Sequence, residues 1–416
     1  MTTRQHYEIV VVGGGLTGVM MAIALSYGGY GTADMPAIAL IDRAKQDSTK
    51  TGNSDLRTTT IHAAGKAMFE ALGIWQYLEK CATPITRIKI ANGLPTKGGL
   101  ARRRRPEFSL DWHDVNQPMA YVVGNEQLLE ALYRVMKTRP ITPIYDAEVS
   151  HFDGAGDLAR LKFADRPDLT AQLVVACDGA ASKLRDQAGI RTLAEAHRQS
   201  AIVANVTLEI DHNDTAYQRF LPSGPLALMP HGPHRASLVW TLPKEEADRI
   251  LAVDETEFSN LLLAAFGNTL GGLKLDSRRL IWPLKPTITR KMTSNHLVLA
   301  GDASHAIHPL AGQGYNLALG DAAVLADCLA RARARGLSAG HRSVESDYLA
   351  GRKLEVTAMT AMTSGLNRLM SFQPAIAKAA GAGMALVNIS PVKTLFQKSA
   401  MGGHLARANL LAGRLP

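Results

Sequence analysis

The alternation of apolar and polar positions predicts two kinds of structure along this chain. Short apolar runs at residues 7–12, 38–41, 173–176 and 297–300 have the length and composition of buried strands, and most of them lead through a turn into a helical pattern. Residues 83–124 and 196–290 instead carry mostly strand-like sequence. Because these β-rich stretches interrupt the strand–helix pattern, we predict a mixed α/β fold with a second lobe inserted into the first and a helical C-terminal region.

Length and composition narrow the class of protein without changing that prediction. At 416 residues the chain is too long for one simple core, and its 46% hydrophobic and 20% charged residues are ordinary for a soluble globular enzyme. No apolar run reaches the roughly 18 residues that span a bilayer, and the N-terminus lacks the pattern of a secretory signal. Cys81, Cys177 and Cys328 are odd in number and far apart, which favours a reducing, cytoplasmic compartment over disulfides or a zinc site.

The chain is basic, with a formal net charge of +9 at pH 7. Its densest basic run, residues 102–105, reads as a solvated loop. Nucleic-acid binding finds no support, because the sequence has no zinc module, aromatic platform or other recognition motif. An acidic partner and an anionic membrane surface are both compatible with the charge.

A glycine-rich turn follows the first apolar run. Gly13, Gly15 and Gly18 fit the G-x-G-x-x-G spacing between a strand and a helix that binds a dinucleotide. The first glycine would make the tight turn, the second would let the backbone approach a pyrophosphate, and the third would let strand and helix pack closely. Asp42 ends the next strand, about where such a fold carries an acid for the adenosine ribose; a plain surface charge is the alternative.

Three further stretches hold candidates whose roles the residues alone leave open. Arg57 is either a surface cation or one that lies near phosphates or a cofactor ring. Asn125 comes just before a helical stretch, where its side chain would cap the helix or contact a cofactor. At residues 177–185 a strand delivers Asp178 and Gly179 to a turn before another helix, and Asp178 and Arg185 would either serve a ligand or pair to hold that turn.

A second glycine-rich turn lies within residues 296–322. A short strand ends at Gly301 and Asp302, and a helical pattern begins after Gly312 and Gly314. Unpaired N–H groups and the positive end of that helix would face an electron-rich ligand. A tight packing turn is the alternative.

Two histidines, His305 and His308, lie between that strand and that helix. Their spacing suggests a metal site, but the sequence offers no obvious third ligand, so we expect no metal. A general-base role for either histidine has no named partner, and we assign no catalytic residue.

Four sequence blocks together resemble the class A FAD-dependent aromatic monooxygenases, and most closely the ubiquinone-biosynthesis hydroxylase family. The blocks are VVGGGLTGVMMAIAL at 11–25, DLRTTTIHAAGKAMFEALGIW at 55–75, CDGAASKLRDQAGI at 177–190 and GDASHAIHPLAGQGYNLALGDAAVL at 301–325. The segment ISPVKTLFQKSAMG at 389–402 is also similar to the tail of that family. The last two of the four blocks separate these hydroxylases from other dinucleotide-binding proteins.

The resemblance implies an FAD site built from all four blocks. Gly13, Gly15 and Gly18 would hold the FAD pyrophosphate, and Asp42 would hold the adenosine ribose, where the family more often has Glu. Arg57 would lie near the flavin. The other implied contacts are Asn125 with FAD; Asp178, Gly179 and Arg185 with FAD and the pyridine nucleotide; Asp302 with the ribityl chain; Pro309 with the ring; and Gly312, Gly314 and Asn316 with the pyrimidine end of the flavin.

The resemblance also implies a function. It points to a monooxygenase that uses FAD, NAD(P)H and O2 to hydroxylate the aromatic ring of a polyprenylated phenol in ubiquinone biosynthesis. Its partners would include other quinone-biosynthesis proteins, and its cytoplasmic location would include peripheral contact with the inner membrane. Hydroxylation of a small soluble phenol, and a flavin-binding subunit that scaffolds a complex without turnover, are the alternatives.

The same features predict how the chain is divided. Residues 1–82, 125–195 and 291–340 would form a Rossmann-like FAD-binding domain. Residues 83–124 and 196–290 would form an inserted β-sheet substrate domain, and residues 341–416 a helical C-terminal region.

Overall fold

The structure is a computed structural model that describes residues 6–27, 37–45, 55–93, 110–113, 117–194, 199–308, 312–371 and 408–416. Within those residues the helices are α1 (Leu16–Ser26), α2 (Ala63–Ala71), α3 (Asn125–Met136), α4 (Lys183–Gln187), α5 (Lys244–Ala252), α6 (Glu255–Phe266), α7 (Gln313–Ala334) and α8 (Arg342–Ser371). The strands, in chain order, are β1 (His6–Val12), β2 (Ile38–Ile41), β3 (Thr58–His62), β4 (Thr83–Ile85), β5 (Arg87–Asn92), β6 (Leu110–His113), β7 (Ala120–Gly124), β8 (Ile141–Ile144), β9 (Val149–Asp153), β10 (Ala159–Phe163), β11 (Leu169–Ala176), β12 (Thr192–Ala194), β13 (Gln199–Leu208), β14 (Thr215–Leu221), β15 (Gly224–Pro230), β16 (Arg235–Pro243), β17 (Leu273–Leu275), β18 (Leu280–Leu284), β19 (Thr287–Thr289), β20 (Thr293–Ser294), β21 (Leu297–Leu299) and β22 (His305–Ala306).

The first sheet is built around β1, which pairs in parallel with β2 on one side and β11 on the other. β8 extends the sheet in parallel beyond β2, and β21 extends it beyond β11. The central strands β1, β2, β11 and β21 are mostly apolar because both faces of the sheet are covered; Val10 and Val11, for example, are fully buried on opposite sides. Helices α1 and α7 pack together on one face. The predicted mixed α/β fold with a Rossmann-like sheet is confirmed.

The second sheet is mostly antiparallel and is centred on β13, which pairs with β16, β17 and β18. β16 leads through β15 to β14, and β14 pairs in parallel with β5. One face of this sheet packs on α5 and α6 through residues such as Ile202, Trp240 and Phe258. The sequence pattern at residues 245–267 reads as one helix, but the structure has two, because Asp254 accepts the N–H of Glu257 at 2.8 Å and starts α6 as a new N-cap.

A small sheet has the strand order β3–β7–β4. Its residues Ile85, Ala120 and Val122 pack against Ala216 of β14. The strands of this sheet come from both sides of the predicted boundary at residue 83. The domain boundaries themselves stay a proposal.

The C-terminal region differs in part from the sequence prediction of helix to the end of the chain. Helices α7 and α8 are long, but residues 408–416 form only a 3₁₀ turn, Leu410–Ala412, that ends at Gly413 with φ +75°. Leu410 and Leu411 bury their side chains in the main core, where the turn packs on α2. The basic run 102–105 and the segment 389–402 lie outside the described residues. In the part that is described, no helix is long and apolar enough to cross a membrane.

Candidate functional site

The first glycine-rich turn joins β1 to α1 at the carboxyl edge of the first sheet. Gly13 has φ +113°, and a Cβ added there would lie 2.3 Å from the carbonyl oxygen of Cys177. A Cβ on Gly18 would lie 1.7 Å from the carbonyl oxygen of Gly13, so helix and strand pack too closely for any other residue. Gly15 is different. It is exposed, and no atom of the described chain lies within 4 Å of its Cβ position, so a ligand can approach the backbone at the N-terminus of α1.

Asp42 directly follows β2 and lies against this turn. One carboxylate oxygen accepts a hydrogen bond from the backbone N–H of Gly14, and the other accepts one from Ala44 at 2.6 Å. Tyr133 of α3 closes the same corner by donating its hydroxyl to the carbonyl oxygen of Gly14 at 3.0 Å. The acid is therefore fixed beside the glycines, where an adenosine ribose would lie, and the ribose contact stays a prediction.

Asp178 and Gly179 follow β11 at the same edge of the sheet. The Oδ2 atom of Asp178 accepts a long hydrogen bond of 3.4 Å from the N–H of Leu184, while its buried Oδ1 atom has no partner among the described residues. Gly179 has φ +87° and open space at its Cβ position. A buried oxygen that lacks a partner beside an unobstructed glycine indicates a place for a polar group of a ligand.

Arg185 holds the turn rather than reaching outward. The residue is buried, and its Nη1 atom donates to the carbonyl oxygens of Ala180 at 3.0 Å and Ala303 at 3.3 Å. Its Nε atom pairs with Asp186 at 3.1 Å. The sequence left open a pair between Asp178 and Arg185; the structure instead ties the arginine to backbone carbonyls and so connects the two turns of the site.

Asp302 lies in the short 3₁₀ turn that follows β21. Its side chain is exposed and forms no hydrogen bond or ion pair within the described part of the chain. Desolvation by the surrounding protein nevertheless raises the pKa of Asp302, although the charges of His305 and Arg57 act in the opposite direction. A carboxylate that is held in a fixed turn without a partner is a candidate acceptor for a ligand hydroxyl.

Replacing Asp302 with alanine is expected to weaken FAD binding without destabilising the free protein. Because its folded-state pKa is raised, the wild-type side chain contributes less to stability as the pH rises from the unfolded value, about 3.9, through the folded one. The Asp302→Ala variant should therefore gain stability relative to wild type over that range, while its FAD affinity falls about tenfold. Denaturant titrations at several pH values and FAD titrations measure both. Loss of stability at pH 7 with unchanged FAD affinity would show that the carboxylate is structural.

The second glycine-rich turn places Gly312 as the N-cap of α7. Gly312 has φ +63°, and a Cβ there would lie 2.7 Å from the hydroxyl of Thr60. No described atom lies within 4 Å of the Cβ position of Gly314, so the backbone at this helix N-terminus is open to a ligand. Pro309 lies outside the described residues.

Asn316 uses its side chain to fasten α7 to β3. Its Nδ2 atom donates to the carbonyl oxygen of Thr60 at 2.8 Å, and its Oδ1 atom accepts the N–H of His62 at 3.2 Å. The side chain is buried, so the amide is committed to β3. Asn316 therefore positions the helix N-terminus, and the predicted contact between Asn316 and a flavin stays a prediction.

Replacing Asn316 with alanine should lower the free energy of unfolding by roughly 1–3 kcal/mol, because the substitution leaves two buried backbone groups of β3 without partners. Chemical denaturation checks this. Gln313→Ala, one turn earlier on the same helix and only half-buried, is the control and should change the free energy by less than about 0.5 kcal/mol. Equal effects of the two variants would contradict the role given to Asn316.

Arg57 and Asn125 form one polar network with Asp55. Arg57 pairs with Asp55 at 2.8 and 2.7 Å, and its guanidinium lies 4.2 Å from the ring centre of Trp282 in the second sheet. Asn125 accepts the hydroxyl of Thr59 at 2.7 Å and donates to Asp55 at 3.3 Å, while the N-cap of α3 is the preceding glycine. Burial works to raise the pKa of Asp55, but the hydrogen bonds and charge of Arg57 outweigh it and hold that pKa below its usual value.

The two histidines of the sequence motif are both buried, and His305 points to an acid on α7. Its Nε2 atom lies 2.7 Å from Asp321, and both side chains are fully inaccessible to solvent. Asp321 also pairs with Arg352 of α8 at 2.7 Å. Sequence reasoning missed this pair, because the two residues are 31 positions apart on separate helices and belong to no local motif. Among the described residues no group of three or more His, Cys, Asp or Glu side chains is placed to hold a metal ion.

The arrangement fits an FAD molecule. Two helix N-termini, at Gly15 and Gly314, have open space at their glycine Cβ positions and leave backbone N–H groups open to electron-rich groups. Two carboxylates with unused oxygens, Asp178 and Asp302, follow the neighbouring parallel strands β11 and β21 at one edge of the first sheet. This donor and acceptor pattern suits a ligand with phosphates, sugar hydroxyls and an electron-poor ring.

Comparison with known proteins agrees with this geometry. Residues 6–356 match the family model described as FAD binding domain. The ubiquinone hydroxylase UbiL of Rhodospirillum rubrum is 32% identical over 95% of this chain and 89% of its own length. The 3-demethoxyubiquinol 3-hydroxylase of Escherichia coli is 29% identical over 80% of this chain and 82% of its own.

A solved structure shows the same fold at lower sequence identity. The p-nitrophenol 4-monooxygenase PnpA of Pseudomonas putida superimposes with a TM-score of 0.72 at 18% identity, covering 99% of this chain and all of its own. The family predicted from the four sequence blocks is thus confirmed. The chain belongs to the FAD-dependent aromatic monooxygenases, in the family that contains the ubiquinone hydroxylases.

Proposed function

We propose that this protein uses FAD, NAD(P)H and O2 to hydroxylate the aromatic ring of a polyprenylated phenol on the way to ubiquinone. The observation that carries the proposal is the match of 95% of the chain, at 32% identity, to a ubiquinone hydroxylase. The open backbone at Gly15 and Gly314 supports it, because both positions leave room for a cofactor. FAD, when bound, accepts hydride from NAD(P)H and activates O2 so that one oxygen atom enters the ring. The protein supplies binding, orientation and electrostatics.

The residues of the site divide these tasks. The N-terminus of α1 at Gly15 would hold the pyrophosphate, Asp42 the adenosine ribose and Asp302 the ribityl chain. The N-terminus of α7 at Gly314 would stabilise negative charge at the pyrimidine end of the flavin, because the helix dipole and open N–H groups favour an anion there. Arg57 would lie on the flavin side of the second sheet, where it already contacts Trp282.

The proposal of an apolar substrate is supported by the residues on one face of the second sheet, the face opposite α5 and α6. Directly opposed residues of antiparallel strands share a face, so Val203, Val239 and Ala227 lie side by side, with Met229 next along β15. Val239, Ala227 and Met229 are only partly buried, although all are apolar. The same face carries Trp282, which contacts Arg57, so it is turned toward the flavin-binding elements.

The apolar substrate and the basic surface also support a location at a membrane surface. A net charge of +9 attracts anionic lipids, and no described helix spans the bilayer. The protein would then act in the cytoplasm, in peripheral contact with the inner membrane and with other proteins of quinone biosynthesis.

Purified protein tests the proposal. It should be yellow from bound FAD, and a polyprenylated phenol should stimulate its oxidation of NAD(P)H far more than the same phenol without the chain. A deletion strain should accumulate one under-hydroxylated quinone precursor. A normal quinone pool would favour a small soluble phenol as substrate. Bound FAD and stable partners without any oxygen transfer would indicate a non-catalytic subunit.

A further inference from the structure

A buried cluster of charged side chains lies behind the turn that carries Asp302. Asp321, Arg352 and His305 have side chains with no solvent exposure. The Nε atom of Arg352 donates to Oδ1 of Asp321 at 2.7 Å, and its Nη2 atom donates to the carbonyl oxygen of Leu317 at 2.9 Å. The cluster thus joins α8 to the first turns of α7.

The other carboxylate oxygen of Asp321 holds both ends of the Asp302 turn. It accepts the backbone N–H of Gly301 at 2.8 Å and lies 2.7 Å from Nε2 of His305. Asp302 lies between these two anchor points, with its own side chain free of protein partners in the described structure. One carboxylate therefore holds the Gly301 backbone before, and the His305 side chain after, the residue that would contact the ribityl chain.

The neighbours of Arg352 hold its guanidinium against Asp321. A Cβ on Gly320 would lie 2.7 Å from Nη1 of Arg352, so the glycine makes room for the guanidinium. Arg352 also pairs with Glu355, one turn further along α8. These neighbours hold the guanidinium in one orientation on Asp321.

Stability alone gives no reason for such a cluster. Burying charges is costly, and well-packed apolar residues of similar volume commonly stabilise a core as well or better. A fixed hydrogen-bond geometry at a functional turn does give a reason, since ligand groups must be held to within a fraction of an ångström. The free-energy cost of burying these charges is then accepted because the cluster fixes the orientation of the turn.

We infer that Asp321 and Arg352 are positioning residues of the flavin site: Arg352 orients Asp321, and Asp321 holds the Gly301 backbone and the His305 ring so that Asp302 meets the cofactor. The inference rests on the proposed function, because it concerns FAD bound at this turn. It extends that function to two residues, one of them on α8, that touch no part of the cofactor.

Asp321→Asn and Arg352→Lys test the inference, with Val344→Ala as the matched control. Val344 is a buried residue of α8 whose apolar side chain packs in the main core, so its truncation also weakens the contact of α8 with that core but removes no hydrogen bond or charge next to Asp321. Each variant is studied as the full chain, by denaturant titration, by FAD titration and by the midpoint potential and visible circular dichroism of bound FAD.

We expect both cluster variants to bind FAD at least about tenfold more weakly and to shift the midpoint potential and the circular dichroism of the bound flavin. Val344→Ala should lose stability while its flavin properties stay at wild-type values. Folded cluster variants with wild-type FAD affinity and potential overturn the inference, as do equal flavin changes in Val344→Ala. If Asp321→Asn does not fold, the flavin properties of Arg352→Lys test the inference, because lysine keeps a buried positive charge beside Asp321. A wild-type protein that binds no FAD would overturn the proposed function and this inference together.

Discussion

Replacing Gly15 with alanine is expected to weaken FAD binding strongly while the free protein stays folded. A Cβ at this position meets no described atom of the protein, and the backbone has φ −76°, which alanine adopts readily. The new methyl group would instead stand where the pyrophosphate approaches the N-terminus of α1. We expect a loss of roughly 1–3 kcal/mol of binding free energy, against a change of less than about 1 kcal/mol in the free energy of unfolding.

Gly18→Ala is the matched control for this experiment. Its main effect should be a loss of stability of the free protein, whereas the main effect of Gly15→Ala should be a loss of FAD affinity. A Cβ on Gly18 would lie 1.7 Å from the carbonyl oxygen of Gly13, so helix and strand must move apart in the free protein as well. Thermal or chemical unfolding without FAD should show a loss of about 1–3 kcal/mol or more for Gly18→Ala and little change for Gly15→Ala. Wild-type FAD affinity in a folded Gly15→Ala protein would contradict the placement of the pyrophosphate at this helix.

Replacing Leu410 with alanine should lower the free energy of unfolding by roughly 2–5 kcal/mol. Leu410 is fully buried in the main core, where the C-terminal turn packs on α2. The neighbouring Asn409 fastens the turn to Asp327 of α7, with its backbone N–H at 3.0 Å from one carboxylate oxygen and its side-chain amide at 3.1 Å from the other. The C-terminal turn is thus packed into the main core by contacts with both α2 and α7.

Leu415→Ala is the control for the C-terminal turn. Leu415 lies five residues further on and is 51% exposed, so the same truncation should change the free energy by less than about 0.5 kcal/mol. Denaturant midpoints of the two variants give the comparison. Similar midpoints for Leu410→Ala and wild type would mean that the turn contributes nothing to the core.

Local signals in the sequence predicted the two glycine-rich turns and the fold class. Gly13 and Gly18 could be assigned because a tight turn and a close helix contact each demand glycine at a fixed distance from a strand. The fold class followed from the same logic, since apolar runs that alternate with helical patterns specify a parallel sheet. At these positions the pattern that predicts the structure spans only a few neighbouring residues, so the local sequence is enough to predict it.

Contacts between distant parts of the chain could not be predicted in this way. The side chain of Asn316 reads as a flavin ligand within its motif, yet it bonds to β3, more than 250 positions earlier. Arg352 looks like any arginine on a long helix until the fold brings it to Asp321. The apolar face of the second sheet likewise appears only when the strand register is known, because the register decides which residues share a face.

Oxygen transfer to the substrate is the most direct test of the account. Purified protein with FAD, NAD(P)H and a polyprenylated phenol is incubated under ¹⁸O₂, and the product is analysed by mass spectrometry. We expect one ¹⁸O atom on the aromatic ring for each turnover, and loss of product formation in the Gly15→Ala variant. Oxidation of NAD(P)H that yields only hydrogen peroxide, or a product whose new oxygen comes from water, would contradict it.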